Sequence, residues 1–206
     1  MSKDKYWEQG ADKIEEAYST VLKLVGTFPE PRKTKVKSML EDLGEQFMTA
    51  PASTNRTHHN AFPGGLLLHS ISVVKHAHAI ANAVAPNRWA ASRITFCALF
   101  HDLGKAGTPG NPYYIQVEDE WKFRRGHYYE VNKDEWMPSA ERGLFILQQA
   151  GIVLDHEEYM AIRLNDGMGP AENKPYSFRE PDLSLIIHWA DHWAMRQEKE
   201  AAKAFL

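Results

Sequence analysis

Ile94-Thr95-Phe96-Cys97-Ala98-Leu99-Phe100-His101-Asp102-Leu103-Gly104-Lys105 decides how this chain is read. Pro86 announces the element, and the climb through Ile94, Phe96, Leu99 and Phe100 reads as a buried helix that His101-Asp102 closes. A carboxylate at the end of so apolar a helix needs a partner, because burying it alone costs several kcal/mol. Cys97 shares the face of His101, but its apolar neighbours make it a core residue rather than a thiol ligand or nucleophile.

Helices extend outward on both sides of this run. Lys5 to Val25 places Trp7, Ile14, Tyr18, Val21, Leu22 and Val25 at helical spacings, with Gly26 to end it. A second helix starts near Pro31 and runs through Val36, Met39, Leu40, Leu43 and Phe47 to stop before Pro51, its Arg32-Lys33-Lys35-Lys37 cluster reading as a solvated face. Gly64-Gly65 opens a third that reaches Ala83 and carries His69 in an apolar setting. Between Thr108 and Lys133 the pattern changes. Tyr113 to Val117, a polar tip at Glu118-Asp119-Glu120, and Trp121 to Arg124 read as a small β-hairpin. Helices resume at Ser139, taken as an N-cap, and at Asp155, and the last runs from about Pro181 to Ala202 with Asp191 inside Ile186-Ile187-His188-Trp189-Ala190-Asp191. Trp189 and Trp193 read as core residues and His76 and His78 as helix-surface ones.

Of the 206 residues, 43% are hydrophobic, enough to bury a substantial core. One domain is expected over 1–206, with 1–50 as a helical extension packed on it and 108–133 as the hairpin insertion. The formal charge of -3 gives no global pull toward nucleic acid or a membrane surface. No apolar run reaches the ~18 residues of a membrane helix, and Met1-Ser2-Lys3-Asp4-Lys5 does not open a secretory signal, so a cytoplasmic location is expected. The single Cys97 excludes an internal disulfide and a cysteine-built zinc site.

Among the ten histidines, the informative ones lie beside carboxylates where helices converge. A shared divalent cation would compensate Asp102 and Asp191 together, and the imidazoles of His69 and His101 would complete a mixed nitrogen and oxygen set. The order His69, His101-Asp102, Asp191 resembles the HD-domain metal-dependent phosphohydrolases. Leu103-Gly104-Lys105 and Ala190-Asp191 match that family's surroundings, over about Thr57 to Ala194. The resemblance implies an all-α, mainly helical HD-domain bundle, here with a small inserted β-hairpin. The stretch from His58-His59 through Gly64-Gly65 to His69 is also similar to HD domains of certain 3′-to-5′ exoribonucleases and conjugative relaxases. Two-metal members of the family carry further histidines where this chain has Trp136-Met137 and Asn165-Asp166. One divalent ion (Mn, Fe, Co, Ni, Mg or Zn, not distinguished) is therefore expected, with a second, weaker one left open through Asp166 or His127.

Around this centre Lys105 is a candidate to offset a bound phosphate, and Asp166 and His188 to relay protons. His58, His59, Arg124, Arg125 and His127 are candidates for substrate contact. The leading expectation is hydrolysis of nucleoside mono- or triphosphates. A phosphodiesterase or 3′-to-5′ nuclease acting on cyclic nucleotides or single-stranded ends is the alternative, and a silent nucleotide-binding HD domain comes third. A homo-oligomer without membrane attachment is expected, and nucleic acid is a partner only under the alternative.

Overall fold

The computed structural model describes residues 11–134 and 136–203. The expected helix start at Lys5, with Trp7, lies outside the described residues. Helices dominate: α1 (Ala11–Val25), α2 (Arg32–Thr49), α3 (Gly65–Val84), α4 (Ala91–Phe100), α5 (Glu120–Arg124), α6 (Ser139–Gln149), α7 (His156–Arg163) and α8 (Asp182–Lys203). A 3₁₀ turn, Leu103–Ala106, follows α4 directly, and strands β1 (Tyr114–Gln116) and β2 (Tyr129–Val131) form the one sheet among the described residues. The expected mainly helical bundle with a small hairpin is what the chain adopts.

The frame is built on α3, which packs along both α4 and α8, while α7 closes against α8 and α6 against the 3₁₀ turn. One apolar core runs through them, from Val21 and Val36 by way of Leu67, Phe96 and Phe100 to Ile162, Ile187 and Ala190. In α1 the buried stripe is Ala17, Val21 and Val25, which turns Leu22 outward, 37% exposed. In α2 all five expected core residues are buried, although Gly44 breaks the helical conformation midway. Arg32 is not a solvated helix residue. Its guanidinium makes two hydrogen bonds of 2.6 and 2.8 Å to the buried Glu158 carboxylate and covers the Phe96 ring at 4.4 Å.

Two glycines set the entry of α3. Gly64 has φ of 80°, a left-handed conformation costly to other residues, and a Cβ on Gly65 would meet the Asn60 carbonyl oxygen at 2.0 Å. At Asp155 the expected cap is a full capping box with Glu158. Ser139 differs: it is the first helical residue of α6, with Pro138 at the N-cap and no side-chain cap bond.

The hairpin exists with a different second strand. Tyr114, Ile115 and Gln116 pair antiparallel with Val131, Glu130 and Tyr129. Trp121 to Arg124, expected as a strand, is the helix α5, because Asp119 accepts hydrogen bonds from the backbone of Trp121 and Lys122 and starts a helical turn. A local cap here outweighs the β propensity of Trp121 and Phe123. Phe123, Tyr128 and Tyr129 of the insertion form a small core with Ala61 of the loop before α3, to which the insertion is also stitched by Tyr128 N to Thr54 O (2.9 Å) and Arg56 N to Gly126 O (2.9 Å). Trp189 and Trp193 are not core residues. They are 55% and 54% exposed, because α8 turns Ile186, Ile187, Ala190 and Ala194 inward.

Candidate metal centre

Three of the frame helices bring four side chains to a common point. His69 sits one turn into α3, His101 and Asp102 where α4 gives way to the 3₁₀ turn, and Asp191 midway along α8. His69, His101 and Asp102 are 4% exposed or less. The Nε2 of His69 lies 3.0 Å from Asp191 Oδ1 and 3.7 Å from Asp102 Oδ2, and that of His101 lies 3.3 Å from Asp102 Oδ2 and 3.8 Å from Asp191 Oδ1. Donors sharing one ion at bond lengths of about 2.0–2.2 Å stand roughly 3–3.5 Å apart, so this spacing suits ligation. Neither Nε2 makes a hydrogen bond of good geometry among the described residues. His69, His101 and Asp191 form a group that could hold a metal ion, and Asp102 faces the same two nitrogens from the side of Lys105.

The outer contacts explain how these groups are oriented. His101 Nδ1 donates to the Ala98 carbonyl oxygen at 2.8 Å, leaving Nε2 as the free edge. His69 Nδ1 donates to Glu198 Oε2 at 2.9 Å. Asp102 accepts from Lys105 Nζ at 2.6 Å and from Asn165 Nδ2 at 3.3 Å, and the same Asn165 amide donates to the His101 carbonyl oxygen at 3.0 Å. His188 Nδ1 in turn donates to the Asn165 carbonyl oxygen at 2.8 Å. Asn165 thus supports Asp102.

Electrostatics follow from this packing. Burial alone would raise Asp102, but the Lys105 ammonium and His101 hold it well below the usual carboxylate range. Burial likewise opposes the lowering of Asp191 that the adjoining His69 imidazole produces. Burial lowers His69, yet the close carboxylates of Asp191 and Glu198 prevail and push it up to about 9. His59 is pulled down to about 2 by burial and by the charges of His69 and Lys105. Asp166 is raised, by desolvation first and then by the charge of Asp102.

The expected substrate residues divide. Lys105 borders a cavity of about 330 Å³ with Gln46, Pro112, Tyr114 and Tyr129, so the base of the hairpin does stand beside the centre. His58 is exposed, and after desolvation the nearby charges, those of Lys199 and Lys105 among them, lower it. His127 accepts from Asn55 Nδ2 at 3.2 Å. Arg124 and Arg125 are engaged on α5 itself, the first 3.9 Å from Glu120 and the second 3.8 Å over the Trp121 ring. The sequence reading passed over Glu198 and Lys199. A signal was present: Glu198 follows Asp191 by two helical turns and so shares its face.

Comparison with protein families matches the HD domain to residues 66–195. No curated protein and no solved structure gives a significant match.

Proposed function

From the premise that this chain belongs to the HD-domain family, whose members are metal-dependent phosphohydrolases, we propose that it hydrolyses phosphate esters of small nucleotides at the His69, His101, Asp102, Asp191 centre. The observation that carries this reading is the pair of buried Nε2 atoms without hydrogen-bond partners among the described residues, both turned toward two carboxylates. Such a set suits a borderline divalent ion.

When bound, the ion supplies a lowered pKa to water and polarises a phosphoryl oxygen. The chain supplies the remainder. Lys105 and Asn165 hold the two oxygens of Asp102, and Glu198 holds His69 with Nε2 free for ligation. Lys105 and Lys199 give the substrate's phosphates a positive approach. We assign Asp166, raised by desolvation and then by the charge of Asp102, to protonate a leaving oxygen, and His188 positions Asn165. The cavity beside Lys105, walled by Tyr114 and Tyr129, has the size of a small-ligand site and an aromatic surface for a base.

A screen of nucleoside mono- and triphosphates and single-stranded oligonucleotides with Mn, Mg, Co and Ni tests this. Phosphate or pyrophosphate release from free nucleotides, lost in Asp102→Ala, is expected. Release of mononucleotides from oligomers alone, falling steeply with salt, would transfer the chain to the nuclease reading.

A further inference from the structure

On the far edge of His69 lies a second group of unsatisfied atoms. An imidazole's two nitrogens point in different directions, so what His69 Nδ1 faces is separate from what its Nε2 faces. Nδ1 meets Glu198 Oε2 at 2.9 Å. The other oxygen of that carboxylate, Oε1, is buried and has no hydrogen-bond partner among the described residues. The ring of His59 stacks 4.5 Å from that of His69, is only 8% exposed, and neither of its nitrogens has a partner among the described residues. One donor atom each from His59, His69 and Glu198 falls within 4.8 Å of the others. Three orphaned polar atoms in one buried spot would cost several kcal/mol if left unsatisfied.

We propose that His59 and Glu198 form a second cation site, distinct from the four-residue centre, which takes a divalent first-row transition ion between an imidazole nitrogen and Glu198 Oε1. Glu198 then serves twice, with Oε2 orienting His69 and Oε1 ligating, and His69 keeps its Nδ1 proton as the link between the two sites. One nitrogen and one carboxylate oxygen, completed by water, match ions of intermediate softness such as Co(II), Mn(II) or Fe(II) better than Mg(II). The residues come from the loop before α3 and the C-terminal half of α8.

Counting ions separates this site from the hydrolytic reading, because it needs no substrate. The full chain is stripped of metal and titrated with Co(II) alone, following bound cobalt and its visible absorption. Two equivalents are expected for the native chain. His59→Ala should bind one, with the absorption of the remaining ion unchanged, and Asp102→Ala should lose the other. His59→Gln, which keeps a buried polar group but ligates poorly, is expected to bind one as well and decides the matter if His59→Ala does not fold. Saturation of the native chain at one equivalent, which would mean that water satisfies these atoms, overturns the proposal. So does a folded His59 variant that still binds two.

Discussion

The helical frame around His69 and the insertion around β1 and β2 lie against each other, yet they are built on different principles. In the frame, α3, α4 and α8 are fixed by a continuous core, and the polar side chains at its centre are held by partners far away in sequence, such as Glu198 on His69 and Asn165 on Asp102. In the insertion three-residue strands and a five-residue helix combine a local cap, Asp119 on Trp121 and Lys122, with a few backbone bonds to the loop before α3. A buried polar group tolerates no loss of its partner, whereas a local cap is one contribution among several. The frame is therefore suited to hold chemistry, and the insertion to vary what reaches it.

The sharpest attack on that contrast is Asp102→Ala. It should abolish metal retention and lower kcat/KM by ~10³-fold or more, as expected for several kcal/mol of transition-state stabilisation, with the helical circular dichroism retained. Full activity in metal-free buffer would end the metal reading. Glu198→Ala removes no ligand of the four-residue centre, and is expected to weaken its metal affinity by roughly 10–100-fold. Metal titration in parallel with Asp102→Ala checks this, and an unchanged affinity would mean that His69 needs no orienting carboxylate.

Gly104→Ala probes the frame without touching a ligand. The new Cβ would meet the Ser139 carbonyl oxygen at 1.9 Å, where the 3₁₀ turn presses on the start of α6. A loss of about 1–3 kcal/mol in denaturant unfolding is expected, and no change would show that α6 can move away.

The metal-free frame should also show a pH signature. The folded value of His69, about 9, exceeds an unfolded value of about 6.5. The stabilisation from its imidazolium is thus complete below about 6.5 and disappears as pH rises through about 9. Metal-free protein is expected to lose Tm across that window. With metal bound, Nε2 no longer carries the proton, so the slope should be much reduced, which thermal scans of both forms at several pH values would reveal.

The smallest effect belongs to the insertion. Asp119→Ala should cost about 1 kcal/mol or less, leave metal content alone, and alter KM more than kcat. An equal fall in metal content would mean that the two regions are not separable.

Much of this was written in the sequence. The apolar run into His101-Asp102, the spacing of α2's core residues and the capping pattern at Asp155 are consequences of local periodicity and local hydrogen bonding, which a chain carries in its order of residues. The pairing of His69 with Asp102 and Asp191 could be anticipated because a buried carboxylate requires compensation. Which strand pairs with β1, whether Trp189 faces in or out, and what each outer oxygen or amide holds could not, since these depend on how elements far apart in the chain are rotated against one another. The insertion shows the limit well: Trp121 to Arg124 has strand-like composition, and only the Asp119 cap and the docking of Tyr128 on Thr54 place β2 further along. Glu198 shows it again. Its position two turns after Asp191 puts it on the right face, but only the packing of α8 along α3 brings its carboxylate to His69, because a helix face acquires its partners from the tertiary fold.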